Sequence, residues 1–336
     1  VISSFLASEW TQALVLAIAI MGLNILVGYS GQLSLGHGAL MALGAYTSGI
    51  IVHRYDVDYL VTIPIAGLFT GFIGFLFGFP ALRLSALYLA LATFALAVVT
   101  PSLIKRPKDL TGGVQGILVA QPDPPGVASN IYATVTGTAM TSEQWIYYIA
   151  LFCTLILFWL AWNLSRHRPG RAMRAIRDGE LAAAASGVNV AGYKTLAFGI
   201  SAFYAGIAGS LYGLTIGFIS PDTFPVSLSI QLLVGAVIGG LASIPGPLLG
   251  AIFAYFLPIE SNQWVPSQTW LPDQITSTVK NAGPAVSYGV VLIVLMIFAP
   301  TGLVGLAARG YSALNRRLRG AGDRESGHAP QDRETV

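Results

Sequence analysis

The residues with the clearest chemical potential form a cluster of positive charge between Ser165 and Phe198, the only long polar island between apolar runs. Its cations outnumber the acids Asp178 and Glu180 by six to two, a net charge of about +4. Lysine and arginine resist translocation across a membrane, so such a segment is expected on the cytoplasmic side. The cations are Arg166, Arg168, Arg171, Arg174, Arg177 and Lys194.

A short helix with a basic side is expected within this island, over residues 171–186. The segment is rich in alanine and other helix-favouring residues, and its arginines recur every third position. Met173, Ile176 and Leu181 fall at other angles, and Gly187 is well placed to end the helix. Two partners suit the basic side, namely a soluble protein that pushes on the membrane domain and anionic lipid headgroups.

Signals for catalysis and for metal binding are weak. The histidines show no metal-ligand spacing, and the single cysteine, Cys153, lies inside an apolar run as a small core residue. Neither a GxSxG nor an HExxH motif occurs. No catalytic residue, metal or cofactor is therefore predicted for this chain. The histidines are His37, His53, His167 and His328.

One segment comes close to a nucleotide-binding motif. Gly187, Gly192, Lys194 and Thr195 almost form GxxxxGK[ST], but Tyr193 stands between the second glycine and the lysine. The insertion turns the lysine away from a phosphate cradle, and no buried strand precedes the loop. ATP binding by this chain is not expected.

The composition indicates an integral membrane protein of the all-α class. The chain is 54% hydrophobic and 10% charged, against about 25% charged in an ordinary globular domain. Its net charge of +3 is concentrated in two segments, which sets orientation and gives no indication of nucleic-acid binding. A charge inside a bilayer is costly, so uncharged intervals of about 20 residues mark membrane spans. Nine spans are predicted, within a range of eight to ten, in the intervals 10–53 (two), 59–82, 84–104, 144–165, 195–221, 223–259 (two, shortened) and 281–308.

The charge distribution also predicts the orientation. The central loop, about 165–195, and the tail, 309–336, are both basic and are both expected in the cytoplasm, separated by four passes. The transmembrane domain then covers 1–308, and the loop 101–143 lies outside, although three cations at its start oppose that assignment. The tail has mixed charges and no apolar periodicity, so disorder is expected there.

Two glycine-rich segments interrupt the apolar pattern, at 28–38 and 235–250. Irregular backbone at membrane depth must line a protein-packed or watery cavity, and such breaks indicate a transport site. Two alternatives stay open: a plain turn at the membrane surface for the first, and close helix packing by small residues for the second. Candidate polar groups along a substrate path are Ser30, Gln32, Ser34, His37 and Gln231.

Several motifs, in the right order over roughly residues 20–305, resemble the LivM-type permease subunit of branched-chain amino acid ABC transporters. They are LNILVGYSGQLSLGHGALMALGAY, ALYLALATFALA, LTGGVQGI and AMRAIRDGELAAAASGVNVAGYKTLAFGISAFYAGIAGSLYG. The resemblance implies a bacterial inner-membrane importer with a second, LivH-like permease subunit and an extracytoplasmic substrate-binding protein. It also implies two ATP-binding cassette subunits, which hold the ATP and Mg²⁺, and contact with membrane lipid.

The resemblance further implies roles for individual residues. The central loop would hold the coupling helix that docks into the ATPase and is related to the EAA loop of ABC permeases. Glu180 precedes Gly187 by seven residues where the general pattern has six, so no acid-specific contact is carried over. Apart from the resemblance, Thr111, Gly112 and Gly113 belong to the loop expected outside, so docking of the binding protein is expected there. The expected coupling residues are Arg171, Arg174, Arg177, Glu180, Gly187 and Lys194.

The expected function is therefore import of branched-chain, hydrophobic amino acids. Within the same family, a urea or short-chain amide permease remains the alternative. A secondary transporter that acts alone is a more remote alternative. It would need an ion site or an acid relay inside the membrane, and the apolar intervals contain neither.

Overall fold

The computed structural model describes residues 3–81, 84, 86–267, 289, 293 and 302–306, and these are almost entirely helical. Two short strands, β1 (Ile117–Leu118) and β2 (Phe218–Ile219), pair antiparallel with Ile117 opposite Ile219. The helices are α1 (Ser4–Asn24, continued by a π-helical segment, Ile25–Tyr29), α2 (His37–Tyr55), α3 (Tyr59–Ala81), α4 (Ala86–Lys105), α5 (Lys108–Thr111), α6 (Gly126–Thr136), α7 (Ser142–Arg166), α8 (Arg168–Asp178), α9 (Glu180–Ala185), α10 (Val190–Ile216), a 3₁₀ turn (Pro221–Thr223), α11 (Val226–Gly239) and α12 (Gly246–Ser267).

The helices confirm the prediction of an all-α, multi-pass membrane protein. In the described part, six segments are long and apolar enough to cross a bilayer, and they correspond to α1, α3, α4, α7, α10 and α11. Helices α2 and α12 occupy the places of two further expected passes. Most of the ninth interval, 281–308, and all of the tail, 309–336, lie outside the described residues. The loop 101–143 contains a helix, α6, that its lack of apolar periodicity did not predict.

Helices α1 and α10 form the centre of the protein. In the apolar windows of these helices, 89% of α1 and 78% of α10 are buried, against 33% in α3 and α7 and 22% in α4. A helix that is hydrophobic on every side belongs in an interior. The exposed faces of α3, α4 and α7 are apolar, so their surroundings must be lipid or another membrane subunit.

Aromatic residues mark both ends of α7. Trp145 and Tyr148 lie near its start, whereas Trp159 and Trp162 lie near its end, where the Arg166 guanidinium stacks 4.2 Å from the Trp162 ring centroid. Residues 145 and 162 are about 26 Å apart at the α-helical rise, close to the thickness of a bilayer core. Tryptophan, tyrosine and arginine favour the membrane surface, so α8 begins at that surface.

Small residues bring α10 into close contact with its neighbours. A Cβ on Gly209 would lie 1.9 Å from the Met41 carbonyl oxygen, and one on Gly44 would lie 2.3 Å from the Gly206 carbonyl oxygen. Helix backbones approach this closely only where side chains are absent. The crossing of α2 and α10 therefore depends on glycine.

Replacement of Gly209 by alanine is expected to lower the stability of the protein. The added methyl group meets backbone atoms of α2, which cannot rotate away as a side chain can, and overpacking of this kind costs about 1–3 kcal/mol. Thermal unfolding in detergent measures the change. Gly126→Ala is the matched control, because a Cβ there meets nothing within 4 Å; equal unfolding temperatures for the two variants would contradict the prediction.

Candidate functional site

The basic island folds into two short helices, α8 and α9, so the expectation of one helix over 171–186 is wrong. The break is at Gly179, whose backbone is extended with a φ of −176°. Glycine weakens a helix interior, and Asp178 before it is also a poor helix former, so the alanine-rich context does not carry the helix through. The predicted end is confirmed: Gly187 has a φ of +81°, and the Val188 amide donates to the Ala183 carbonyl.

Helix α8 lies against the ends of α7 and α1. Its buried face consists of Gly170, Met173 and Ile176. The approach to α7 is close, because a Cβ on Gly170 would lie 2.3 Å from the Leu164 carbonyl oxygen. The apolar face of α8 therefore packs on the membrane helices, and its basic residues surround that contact.

Two of the predicted coupling arginines reach the end of α1. Arg177 Nη1 donates to the Gly28 carbonyl at 2.7 Å, and the Arg174 guanidinium lies 5.8 Å from the Tyr29 ring centroid. Arg174 Nη2 also donates to the Ser165 carbonyl at 2.7 Å. The last carbonyls of a helix lack intrahelical partners and carry partial negative charge, so a guanidinium stabilises them.

Two further charged coupling residues, Glu180 and Lys194, form an ion pair beside the same region, whereas Arg171 is exposed on α8. Lys194 Nζ lies 2.6 Å from Glu180 Oε2, which joins α9 to the start of α10. The backbone carbonyl of Lys194 accepts a hydrogen bond from Gln32 Nε2 at 3.1 Å, and the same nitrogen donates to Ser30 Oγ. Two hydrogen bonds thus join the first glycine-rich segment to the basic island. Arg177 of the island donates to the Gly28 carbonyl, and Gln32 of the segment donates to the Lys194 carbonyl.

The second glycine-rich segment meets the first at the end of α1. The chain between α11 and α12, residues 240–245, forms an irregular turn in which Ala242 has a φ of +59°. Asn24 Nδ2 donates to the Ser243 carbonyl at 2.6 Å, and Asn24 Oδ1 accepts from the Ala242 amide at 2.9 Å. Both predicted breaks are therefore present. We call their meeting point with α8 the junction, formed by Asn24, Gly28, Arg177, Ala242 and Ser243.

Glycine at position 28 is required by this arrangement. A Cβ there would lie 2.4 Å from the Ala242 amide nitrogen and 2.3 Å from Asn24 Oδ1. The turn can therefore approach α1 only because residue 28 has no side chain.

Of the predicted substrate-path residues, Ser30 and Gln32 are in contact with each other, but the five do not form one site. Ser30 and Gln32 are buried beside the junction, whereas His37 is fully buried at the start of α2, next to Gly22 of α1. The side chain of Gln231 instead donates to the Ala254 carbonyl and so joins α11 to α12. Ser34 is buried and accepts from the Gly36 amide. Their role along a substrate path stays a prediction.

Two open apolar grooves lie elsewhere, and none of the five candidates lines either of them. One has a volume of about 650 Å³ and lies between α3, α7 and α10; the other, of about 450 Å³, lies between α2, α3 and α4. Because these grooves are formed by the exposed apolar helices, they offer space to lipid or to a membrane partner.

The three predicted docking residues shape a turn at the opposite end of the membrane helices. Thr111 is buried, and its hydroxyl donates to the Ile104 and Pro107 carbonyls. Gly112 and Gly113 both have a positive φ, and a Cβ on Gly112 would lie 2.0 Å from the Gly116 carbonyl oxygen. These contacts account for the residue types at 111–113, and docking of a binding protein there stays a prediction.

Two residues of this region, Asn24 and Leu181, were not among the site residues predicted from the sequence. Asn24 is a lone amide inside an apolar helix and is 2% exposed. Its signal was available, since an isolated polar group at membrane depth requires a partner. Leu181 on α9 is 88% exposed, and its signal was a large apolar residue in a charged surface segment.

A multi-pass helical bundle in which two interrupted helices meet a basic surface helix has the architecture of a membrane transport permease. The chain belongs to the family described as branched-chain amino acid transport system / permease component, whose model matches residues 5–300. This match confirms the family that the sequence motifs indicated.

Curated relatives bear names that agree with this family. The chain is 35% identical to the high-affinity branched-chain amino acid transport system permease protein LivM of Escherichia coli K12, over 69% of the chain and 58% of LivM. It is 23% identical to BraD of Pseudomonas aeruginosa over 86% of the chain and 91% of BraD. To LivH of Escherichia coli K12 it is 24% identical, over the same shares. The chain thus spans about three fifths of the LivM relative's length, and no solved structure matches it.

Proposed function

We propose that the chain is a permease subunit of an ABC importer for branched-chain amino acids in the bacterial inner membrane. The observation that carries the proposal is the family match over residues 5–300, together with relatives whose names state branched-chain amino acid transport. We infer that ATP and Mg²⁺ bind to separate ATPase subunits. Tyr193 interrupts the nucleotide-binding pattern, and residues 187–195 form the end of a surface loop and the start of α10.

The surface formed by α8 and α9 is the proposed docking site for the ATPase. Leu181 on α9 is 88% exposed and Arg171 on α8 is also exposed, so this surface offers a partner an apolar side chain as well as basic groups. Closure of the ATPases on ATP would then displace α8 as a rigid body.

Further partners follow from the same proposal. A second permease subunit, LivH-like, and lipid would cover the apolar faces of α3, α4 and α7. We propose that the basic segment and the C-terminus lie in the cytoplasm, because lysine and arginine resist translocation. The turn at Thr111–Gly113 then faces an extracytoplasmic substrate-binding protein, beside the ion pair between Lys105 Nζ and Asp222 Oδ1 at 3.0 Å.

Reconstitution tests the proposal. The chain is placed in proteoliposomes with its second permease, its ATPases and its binding protein, and uptake of radiolabelled leucine, isoleucine and valine is measured with and without ATP. We expect uptake that requires ATP and all partners and that excess urea does not reduce. Urea uptake in place of leucine uptake would contradict the substrate, and uptake driven by an ion gradient without the ATPases would contradict the class.

A further inference from the structure

Asn24 is a buried amide that is bonded entirely to the backbone of a distant segment. It lies at the end of α1 and is 2% exposed. Its nitrogen donates to the Ser243 carbonyl and its oxygen accepts from the Ala242 amide, across 219 and 218 residues of sequence. Inside a membrane protein an unpaired amide is costly, so both bonds hold the turn 240–245 against α1.

The turn depends on this contact for its shape. Ala242 adopts a positive φ of 59°, which is uncommon for a residue with a side chain. Such a conformation persists where its surroundings fix it. Here the Ala242 N–H donates a hydrogen bond to Asn24 Oδ1, and the backbone of Ala242 packs against Gly28.

The same end of α1 is held by α8 from the other side. Arg177 binds the carbonyl of Gly28, one helical turn beyond Asn24. The Arg177 side chain also packs on Gly31, where a Cβ would lie 2.9 Å from its Cγ. A displacement of α8 is therefore transmitted to α1 at Gly28. This residue lies one helical turn beyond Asn24, which holds the segment 240–245.

We propose that Asn24 is a positioning residue that carries the motion of α8 to the turn 240–245 and so to the α11–α12 hairpin. Because Gln231 of α11 is bonded to α12 at the Ala254 carbonyl, the two helices follow the turn together. This inference rests on the proposed function, since it takes the ATPases as the source of the motion.

The experiment uses the full complex in proteoliposomes, with Cys153 replaced by alanine and a spin label on a cysteine introduced at Leu241. Leu241 belongs to the turn and is 44% exposed, so it accepts the label. Electron paramagnetic resonance spectra are recorded without nucleotide and with ATP plus vanadate, alongside ATP hydrolysis and leucine uptake. In the parent complex we expect the spectrum to change with nucleotide.

Two variants remove the contact in different ways. Asn24→Leu keeps the branched shape of the side chain and its number of heavy atoms but removes its polar atoms, whereas Asn24→Ser introduces a hydroxyl on a side chain too short to reach the turn. We expect both complexes to assemble and hydrolyse ATP, with uptake reduced at least about tenfold, the equivalent of losing about 1.4 kcal/mol, and with the nucleotide-dependent spectral change lost. Thr11→Val is the matched control on α1, because the Thr11 hydroxyl donates to the Ala7 carbonyl of its own helix.

The possible outcomes separate this inference from the proposed function. A spectral change that survives in both Asn24 variants overturns the inference, as does a parent complex that imports leucine without any change at Leu241. Failure of both variants to assemble while Thr11→Val assembles also overturns it, in favour of a purely structural role. Absence of ATP-dependent uptake in the parent complex would instead contradict the proposed function.

Discussion

Replacement of Arg177 by methionine is expected to abolish most ATP-dependent uptake while the complex still assembles. The substitution keeps much of the aliphatic stem but removes the donor that binds the Gly28 carbonyl at 2.7 Å. A hydrogen bond from a charged donor contributes about 1.5–3 kcal/mol, so we expect uptake to fall by about 10- to 100-fold. Leucine uptake and ATP hydrolysis, measured in the same proteoliposomes, should show hydrolysis that no longer drives transport.

The control is Arg168→Met, at the exposed first residue of the same helix. It removes one positive charge from the same surface without changing the contact with α1, and uptake near that of the parent is expected. Arg177→Lys should restore part of the activity, because an ammonium group donates to a carbonyl with less favourable geometry than a guanidinium. Full uptake by Arg177→Met would show that the bond to Gly28 does not transmit motion.

Replacement of Gly28 by alanine is expected to have the second large effect, and here stability should fall together with activity. The new methyl group would lie 2.4 Å from the Ala242 nitrogen and 2.3 Å from Asn24 Oδ1. Neither atom can move aside without breaking an interaction, because the Ala242 N–H donates a hydrogen bond to Asn24 Oδ1. Overpacking costs about 1–3 kcal/mol, so the unfolding temperature in detergent should fall and the turn should separate from α1.

Gly126→Ala is the control for this variant. A Cβ there meets nothing within 4 Å, and residue 126 lies in α6, outside the junction and outside α8 and α9. A Gly28→Ala protein with the stability and uptake of Gly126→Ala would mean that the close approach of the turn to α1 is not needed.

The sequence determined where the membrane helices lie, because charge is excluded from the bilayer wherever it occurs in the chain. The spacing of Glu9, Arg54, Asp58 and Arg83 alone predicted the passes that became α1, α2 and α3. Local chemistry also determined the two glycine-rich breaks and the end of α9, which stops just before Gly187. It failed at Gly179, where helix propensity favoured continuation and one flexible residue was enough to break the helix.

Only the tertiary structure decided what the breaks do. Arg177 and Gly28 are separated by 149 residues, and Asn24 and Ser243 by 219. Helix periodicity and charge spacing describe interactions over a few turns, so they cannot show which distant backbone groups a side chain will satisfy. The junction arises because the carbonyls at the end of α1 and the amide of Asn24 must find partners where water is scarce, and packing places α8 and the turn 240–245 within reach.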